Sequence, residues 1–313
     1  MALQCGIIGI TNVGKTTIFN CISNTRGETS TFAFSATKSN IGIVQVPDNR
    51  LYELEKFQTT DKIVYTSIEI VDIPGLARGA NKGEGVGNKF LADIRNTDAL
   101  IHVLRCFDDE NLPHIDGSVD PVRDLESVDL ELQVKDLESV EKKIERLEKA
   151  ARSGDKDAKP GIEVLSRLRE HFENFNNARE FELKDDERRV IDDLFLLTIK
   201  PVIYVCNVDE QSAITGNRYV DKVKEYMKDK AAEIILIAGK TEAEIAELDN
   251  MEDRLAFLND AGLSEPGVDK LVRSAYQMLD LQIKLYGAKI RFATLPSKFS
   301  YSASIILSSY TAR

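Results

Sequence analysis

The sequence predicts an α/β fold on a largely parallel sheet, interrupted by an inserted antiparallel coiled-coil hairpin of helices. Three observations carry this prediction. Short, continuous apolar runs alternate with helix-type segments through the first hundred residues and resume after residue 200. A glycine-rich turn joins the first apolar run to the first helix. Between the two α/β blocks the apolar residues recur at alternating spacings of three and four.

The elements follow in order. Residues 3–10 read as a buried strand, Lys15–Asn24 as a helix, 41–45 and 63–72 as strands, 89–97 as a helix and Ala99–Arg105 as a further strand. Leu130, Val134, Leu137, Val140, Ile144, Leu147 and Ala151 form the expected seam of a first hairpin helix. The polar stretch 153–157 is its turn, and Ile162, Leu165, Leu168, Phe172 and Phe175 mark the return helix. Strands resume at 201–207 and 233–238, each followed by helical sequence. The predicted organisation is one nucleotide-type domain over 1–282 with a hairpin inserted at 127–195.

Composition bounds the function. The 313 residues are 42% hydrophobic and 30% charged, the balance of a soluble globular chain, and no run approaches the roughly 18 apolar residues of a membrane span. No basic segment precedes the first apolar run, so no signal peptide is read there. Cys5, Cys21, Cys106 and Cys206 are widely spaced and read as buried thiols of a reducing, cytoplasmic setting. The net charge of −11 argues against whole-surface nucleic-acid binding, and no DNA or membrane partner is expected. The charge is unevenly placed. Residues 283–313 hold five basic groups and no acid, so residues 1–282 carry 36 basic against 52 acidic groups, a net of −16.

Gly9-Ile10-Thr11-Asn12-Val13-Gly14-Lys15-Thr16 matches G-x-x-x-x-G-K-[ST] between a strand and a helix. Glycines there let the backbone wrap so that amide N–H groups at a helix N-terminus surround phosphate oxygens. Lys15 would reach the β- and γ-phosphates and the Thr16 hydroxyl would bind Mg²⁺. Downstream, Asp72-Ile73-Pro74-Gly75 ends an apolar strand, where Asp72 can hold the Mg²⁺ shell and the Gly75 amide can sense the γ-phosphate. Asp-x-Pro-Gly is also an ordinary turn; its distance from the phosphate loop favours the first reading. Gly79, Gly83, Gly85 and Gly87 suggest a loop responsive to phosphate.

These motifs, together with Asn12–Thr17, Gly79–Leu91, His102–Phe107, Asn207–Glu210, Glu242–Leu248 and Gly262–Gly267, resemble the Obg-related translation-factor GTPases and, within them, the YchF ATPases. The resemblance covers about residues 1–282. It implies a P-loop NTPase with a Ras-like G domain and an inserted coiled-coil hairpin. It further implies an ATP-binding, slowly hydrolysing regulator associated with ribosomes or ribosomal RNA. The alternatives are a GTP-preferring translational GTPase or a nucleotide-dependent binding switch with negligible hydrolysis. Nucleotide contacts are expected from Asn12, Val13, Gly14, Lys15, Thr16, Thr17, Gly75, Asn207, Val208 and Gly239, and metal contacts from Thr16 and Asp72.

Base choice follows from chemistry. A guanine site of the N-K-x-D type needs the Asp to accept two hydrogen bonds from the base. Here Asn207-Val208-Asp209-Glu210 puts Glu210 at that position, and the extra methylene displaces its carboxylate. ATP preference is expected, through Asn207 and main-chain groups near Val208. Hydrolysis lacks the usual glutamine, since Leu76 follows Gly75. By resemblance, Lys15 and the loop residue His114 are the catalytic candidates, and Asn12 suggests activation by K⁺; a plain surface role for His114 stays open. The resemblance also expects a switch Thr where Ala36 stands, with Thr37 beside it.

Lys142, Lys143, Arg146, Lys149, Arg152, Lys156 and Lys159 cluster toward the hairpin tip. They form either a solvated face laced by i,i+4 pairs or an RNA-facing surface. Family members continue into a small TGS domain, whose sequence is not recognised after residue 282. The basic remainder reads as a divergent tail, and the protein as a monomer.

Overall fold

The computed structural model describes residues 3–24, 40–48, 50, 65–74, 86–155, 158–230, 232–248, 250–279, 281–284 and 293–296. The strands β1 (Gln4–Ile8), β2 (Asn40–Gln45), β3 (Ser67–Asp72), β4 (Ala99–Arg105), β5 (Val202–Asn207) and β6 (Glu233–Ile237) form one sheet in the order β2-β3-β1-β4-β5-β6. All neighbours are parallel except β2, which runs antiparallel to β3 at the edge. β4 is buried at every residue, as a central parallel strand covered on both faces must be. The helices are α1 (Lys15–Asn24), α2 (Val86–Asn96), α3 (Pro121–Arg152), α4 (Ala158–Glu173), α5 (Asp185–Ile191), α6 (Arg218–Tyr226), α7 (Gly239–Ala246), α8 (Met251–Asp260) and α9 (Gly267–Met278). A separate two-stranded antiparallel ribbon pairs β7 (Leu281–Lys284) with β8 (Ala293–Pro296), so the composition change at 283 falls inside a strand.

Helices α3 and α4 pack antiparallel: Gln133 on α3 donates to the Phe175 carbonyl beyond α4 (3.2 Å), while Gly161 early in α4 packs on Leu147 late in α3. Asp120 caps α3 by accepting from the Arg123 N–H (3.4 Å), with Pro121 at the first helical position. The expected seam holds for Val140 and Ile144, which are buried with Leu165, Leu168 and Phe172.

It fails in the first two turns. Leu130 and Val134 are exposed, and Asp129, Leu132, Gln133 and Asp136 are buried instead. The reason is tertiary: the N-terminal half of α3 lies on the sheet, with Val128 and Leu132 in the main core, so its buried stripe is set by β-strands. Only the C-terminal half meets α4. Phe175, assigned to the return helix, lies beyond its end with a left-handed backbone (φ +59) and is exposed. The four cysteines are free and buried. Among the described residues no helix is long and apolar enough to cross a membrane.

Candidate nucleotide-binding site

Parallel strands deliver their C-terminal ends to one edge of the sheet, where open α/β sheets bind ligands. Register brings particular residues together there. Ile7 on β1 lies opposite Asp72 on β3, Arg105 on β4 opposite Asn207 on β5, and Asn207 opposite Ile237 on β6. The phosphate loop leaves β1 at this edge. Gly9 starts it at φ +146, and a Cβ there would meet the Val103 carbonyl oxygen at 2.5 Å, so the loop presses directly on β4. Asn12 (φ +62) and Gly14 (φ +94) complete the wrap before α1 begins at Lys15. The first amides of a helix lack carbonyl partners one turn back, and Thr16 and Thr17 are exposed at that end of α1, an arrangement suited to phosphate.

Lys15 is buried and its Nζ donates to the Ile10 carbonyl at 2.7 Å, bridging the loop it belongs to. Burial pulls its pKa down to about 8, opposed by the nearby Asp72 charge. The Thr16 hydroxyl donates to Asp72 Oδ2 at 2.9 Å. Burial raises the Asp72 pKa, while that hydrogen bond and the charge of Lys15 pull it back. A hydroxyl and a buried carboxylate in contact at the helix N-terminus are hard oxygen donors, and they fit Mg²⁺ with phosphates and water completing the shell. Gly75, Ala36, Thr37 and Leu76 lie outside the described residues.

Asn207 links three segments. Its Nδ2 donates to the Val13 carbonyl (2.9 Å) and its Oδ1 accepts from the Gly239 N–H (3.0 Å), so β5, the phosphate loop and the start of α7 meet on one side chain. A Cβ on Gly14 would come within 2.3 Å of Asn207 Nδ2, and one on Gly239 within 3.0 Å of its Oδ1; both glycines are there to let Asn207 in. One N–H of Asn207 remains beyond the bond to Val13. The Val208 N–H is spent on the Ile237 carbonyl (2.9 Å). Asp209 caps the following turn, accepting from Ser212 N (3.0 Å) and Ser212 Oγ (2.9 Å), and Glu210 stands exposed in that turn.

His114 is held, not presented. Its Nδ1 accepts from the Asp116 N–H (3.1 Å), so Nε2 carries the hydrogen and donates to Asp124 Oδ2 (2.9 Å). Its side chain is 4% exposed. The ligand-type atoms of His114, Asp116 and Asp124 lie within 4.8 Å of one another, but Arg123 already supplies the cation, 3.1 Å from Asp124 and 3.7 Å from Asp116. The sequence reading missed Asp124. Its place in the first turn of a Pro-started helix was legible, its role as the partner of a loop histidine was not.

Residues 4–167 match a family described as 50S ribosome-binding GTPase. The chain is 44% identical to the ribosome-binding ATPase YchF of Bacillus subtilis over 90% of its own length and 77% of that protein. It is 40% identical to the protein of the same name from Escherichia coli O157:H7, with the same coverage. The structure superposes on the YchF GTPase of Schizosaccharomyces pombe with a TM-score of 0.80 and 28% identity, covering 94% of this chain and 80% of the other. Sheet order, phosphate loop, inserted hairpin and these likenesses agree: the chain belongs to the YchF family of Obg-related P-loop NTPases.

Proposed function

We propose that the chain is an ATP-preferring nucleoside triphosphatase of low intrinsic rate that associates with ribosomes. The carrying observation is the state of the two acids after Asn207. The Asp209 carboxylate is consumed by Ser212, and Glu210 is one methylene too long and exposed, so neither is set to accept the paired hydrogen bonds of a guanine edge. Adenine asks less of the site: an acceptor for its amino group, such as the Val208 carbonyl, and the spare N–H of Asn207. The names of the relatives divide on this point, ATPase for the bacterial proteins and GTPase for the yeast one, which makes the chemistry of the loop the deciding argument.

Phosphates would sit over the α1 amides, with Lys15 transferring its Nζ from the Ile10 carbonyl to the β–γ oxygens. Thr16 and Asp72 would hold Mg²⁺, which when bound neutralises charge on those oxygens. Asn12, exposed at φ +62, is the residue through which K⁺ stimulation would act. His114 would join the reaction only after leaving Asp124, which accords with slow turnover. That same clasp favours the second reading, a binding switch in which hydrolysis is incidental.

Calorimetric titration with ATP and GTP tests base choice, and tighter GTP binding would refute it. Single-turnover hydrolysis with and without ribosomes and K⁺ separates the two readings. His114→Ala should lower the ribosome-stimulated rate at least about tenfold with ATP affinity intact; an unchanged rate removes the histidine from the reaction.

A further inference from the structure

A cavity of about 570 Å³ lies along the hairpin, lined by Arg95 at the end of α2, by Lys142 and Arg146 on α3, and by Asp193, Leu194 and Phe195 after α5. Phe195 is the unusual residue. It is 68% exposed although Leu194, Leu196 and Leu197 around it are buried, and its backbone is left-handed at φ +47, ψ +52. A non-glycine residue in that region costs about 1–2 kcal/mol. The strain turns the leucines inward and leaves an aromatic ring facing water. Such an outlier points to a use for the ring.

The charges around the ring select its partner. Lys143, which the sequence placed with the exposed basic cluster, is turned back: its Nζ donates to the Val190 carbonyl (2.6 Å) and pairs with Asp193, cancelling that carboxylate. Arg95, Lys142 and Arg146 remain exposed against the single carboxylate of Glu145, so the groove is locally basic on a chain of net charge −11. With all three cations and the ring exposed, the groove is too shallow to enclose a small molecule. An exposed aromatic ring flanked by arginine and lysine is the chemistry that receives unpaired nucleotides.

We propose that this groove is a landing site for an unpaired RNA nucleotide, its base stacked on Phe195 and the flanking phosphates held by Arg95, Lys142 and Arg146. The proposal rests on the ribosome-association reading and names the RNA feature recognised. An acidic peptide would satisfy the cations and leave the ring without a role.

The chain has no tryptophan, so Phe195→Trp introduces a single indole reporter. Short single-stranded oligouridine should quench that indole, and an RNA duplex of the same length or oligoglutamate should not. In anisotropy titrations with labelled oligouridine, Phe195→Gly should weaken binding about tenfold, the loss of one stacked base. Glycine accepts the left-handed backbone without cost, so this variant keeps the fold. Arg146→Glu should weaken binding as well and flatten its salt dependence. ATP affinity should not move in either variant. Equal oligouridine affinity of wild type and Phe195→Gly, or quenching by oligoglutamate, would overturn the proposal.

Co-sedimentation separates it from the reading beneath. If wild type and Phe195→Gly pellet equally with ribosomes, the groove is wrong and ribosome association stands. Loss of pelleting in Phe195→Gly alone supports the groove. If wild type neither pellets nor binds oligouridine, both fall, whereas oligouridine binding that needs Phe195 without pelleting keeps the groove and removes the ribosome.

Discussion

Asn207 shows how one side chain is made to serve two loops. Its amide is buried, and both of its polar atoms are engaged by main-chain groups of the phosphate loop and the start of α7. Asn207→Ala strands the Val13 carbonyl and the Gly239 N–H, each an unmet buried group costing about 1–3 kcal/mol. The expected result is a stability loss of about 2–4 kcal/mol in urea unfolding together with at least tenfold weaker ATP binding. Full stability with weak binding would reduce Asn207 to a base contact. Glu210→Asp is the complementary change. It shortens an exposed side chain that meets no buried group, so stability should hold, while GTP affinity should rise relative to ATP in competition titrations. An unchanged ratio would place base choice elsewhere in the loop.

At the scale of elements, α7 carries a buried acid that ties it to α9. Glu242 Oε1 accepts from the Gly267 N–H at 2.6 Å, while its buried Oε2 meets no close hydrogen-bond donor among the described residues. Burial pushes its pKa up to about 7, although the amides of Gly267 and Val268 pull it down. An acid whose folded pKa lies above its unfolded value stabilises the fold fully below the unfolded value. That contribution is lost as pH rises through the folded one, here between about 4.5 and 7. Asp136, raised to about 6 by burial, acts in the same direction. His102 acts in the opposite one: burial lowers its pKa to about 4, so its contribution grows as pH rises toward 6.5. Comparing wild type with Glu242→Gln therefore isolates the acid. The variant should gain stability relative to wild type between pH 5 and pH 7.5, by up to about 3 kcal/mol. A constant difference across that window would mean that Glu242 stays ionised in the fold.

What the sequence made legible at this scale divides along the same line. Strands β1 to β6 and the helix after the phosphate loop were readable, because each is a local pattern of apolar run and turn. The start of β3 and the N-terminal part of the α3 seam were misplaced. Tyr65 and Thr66 continue the apolar run but lie before Ser67, where pairing with β2 begins, and pairing with β1 starts at Glu69; residues 63–64 lie outside the described residues. Leu130 and Val134 follow the heptad spacing, but the sheet, invisible to spacing, claims the neighbouring stripe. Of the candidate site, what a local motif reports was legible: Lys15, Thr16 and Asp72 do lie together at the sheet edge, with Thr16 bonded to Asp72. The bond from Asn207 to Val13 and the clasp of His114 by Asp124 depend on register between distant segments, and no local pattern reports that.

For the molecule as a whole, the decisive feature is that α3 belongs to every apolar cluster. Leu125 packs under β5 and α6, Val128 and Leu132 enter the main core, and Val140 and Ile144 build the hairpin cluster with α4. A helix of 32 residues, about 48 Å long, thus couples the hairpin to the nucleotide edge without a hinge in its hydrogen-bonded ladder. Asp136 sits where the two halves meet. Its carboxylate accepts from Leu197 N (2.8 Å), Thr198 N (2.8 Å) and Thr198 Oγ1 (2.6 Å), fastening the chain that returns from the hairpin just before β5. Asp136→Ala leaves those buried donors unmet beside the root of the hairpin, at a cost of about 3–5 kcal/mol. Because the break lies between two clusters, the loss should be local. Amide exchange should accelerate strongly across α4, α5 and the C-terminal half of α3, and only slightly in β1, β4 and β5. A uniform acceleration would show instead that the hairpin and the sheet open as one cooperative unit, with α3 transmitting the damage along its whole length.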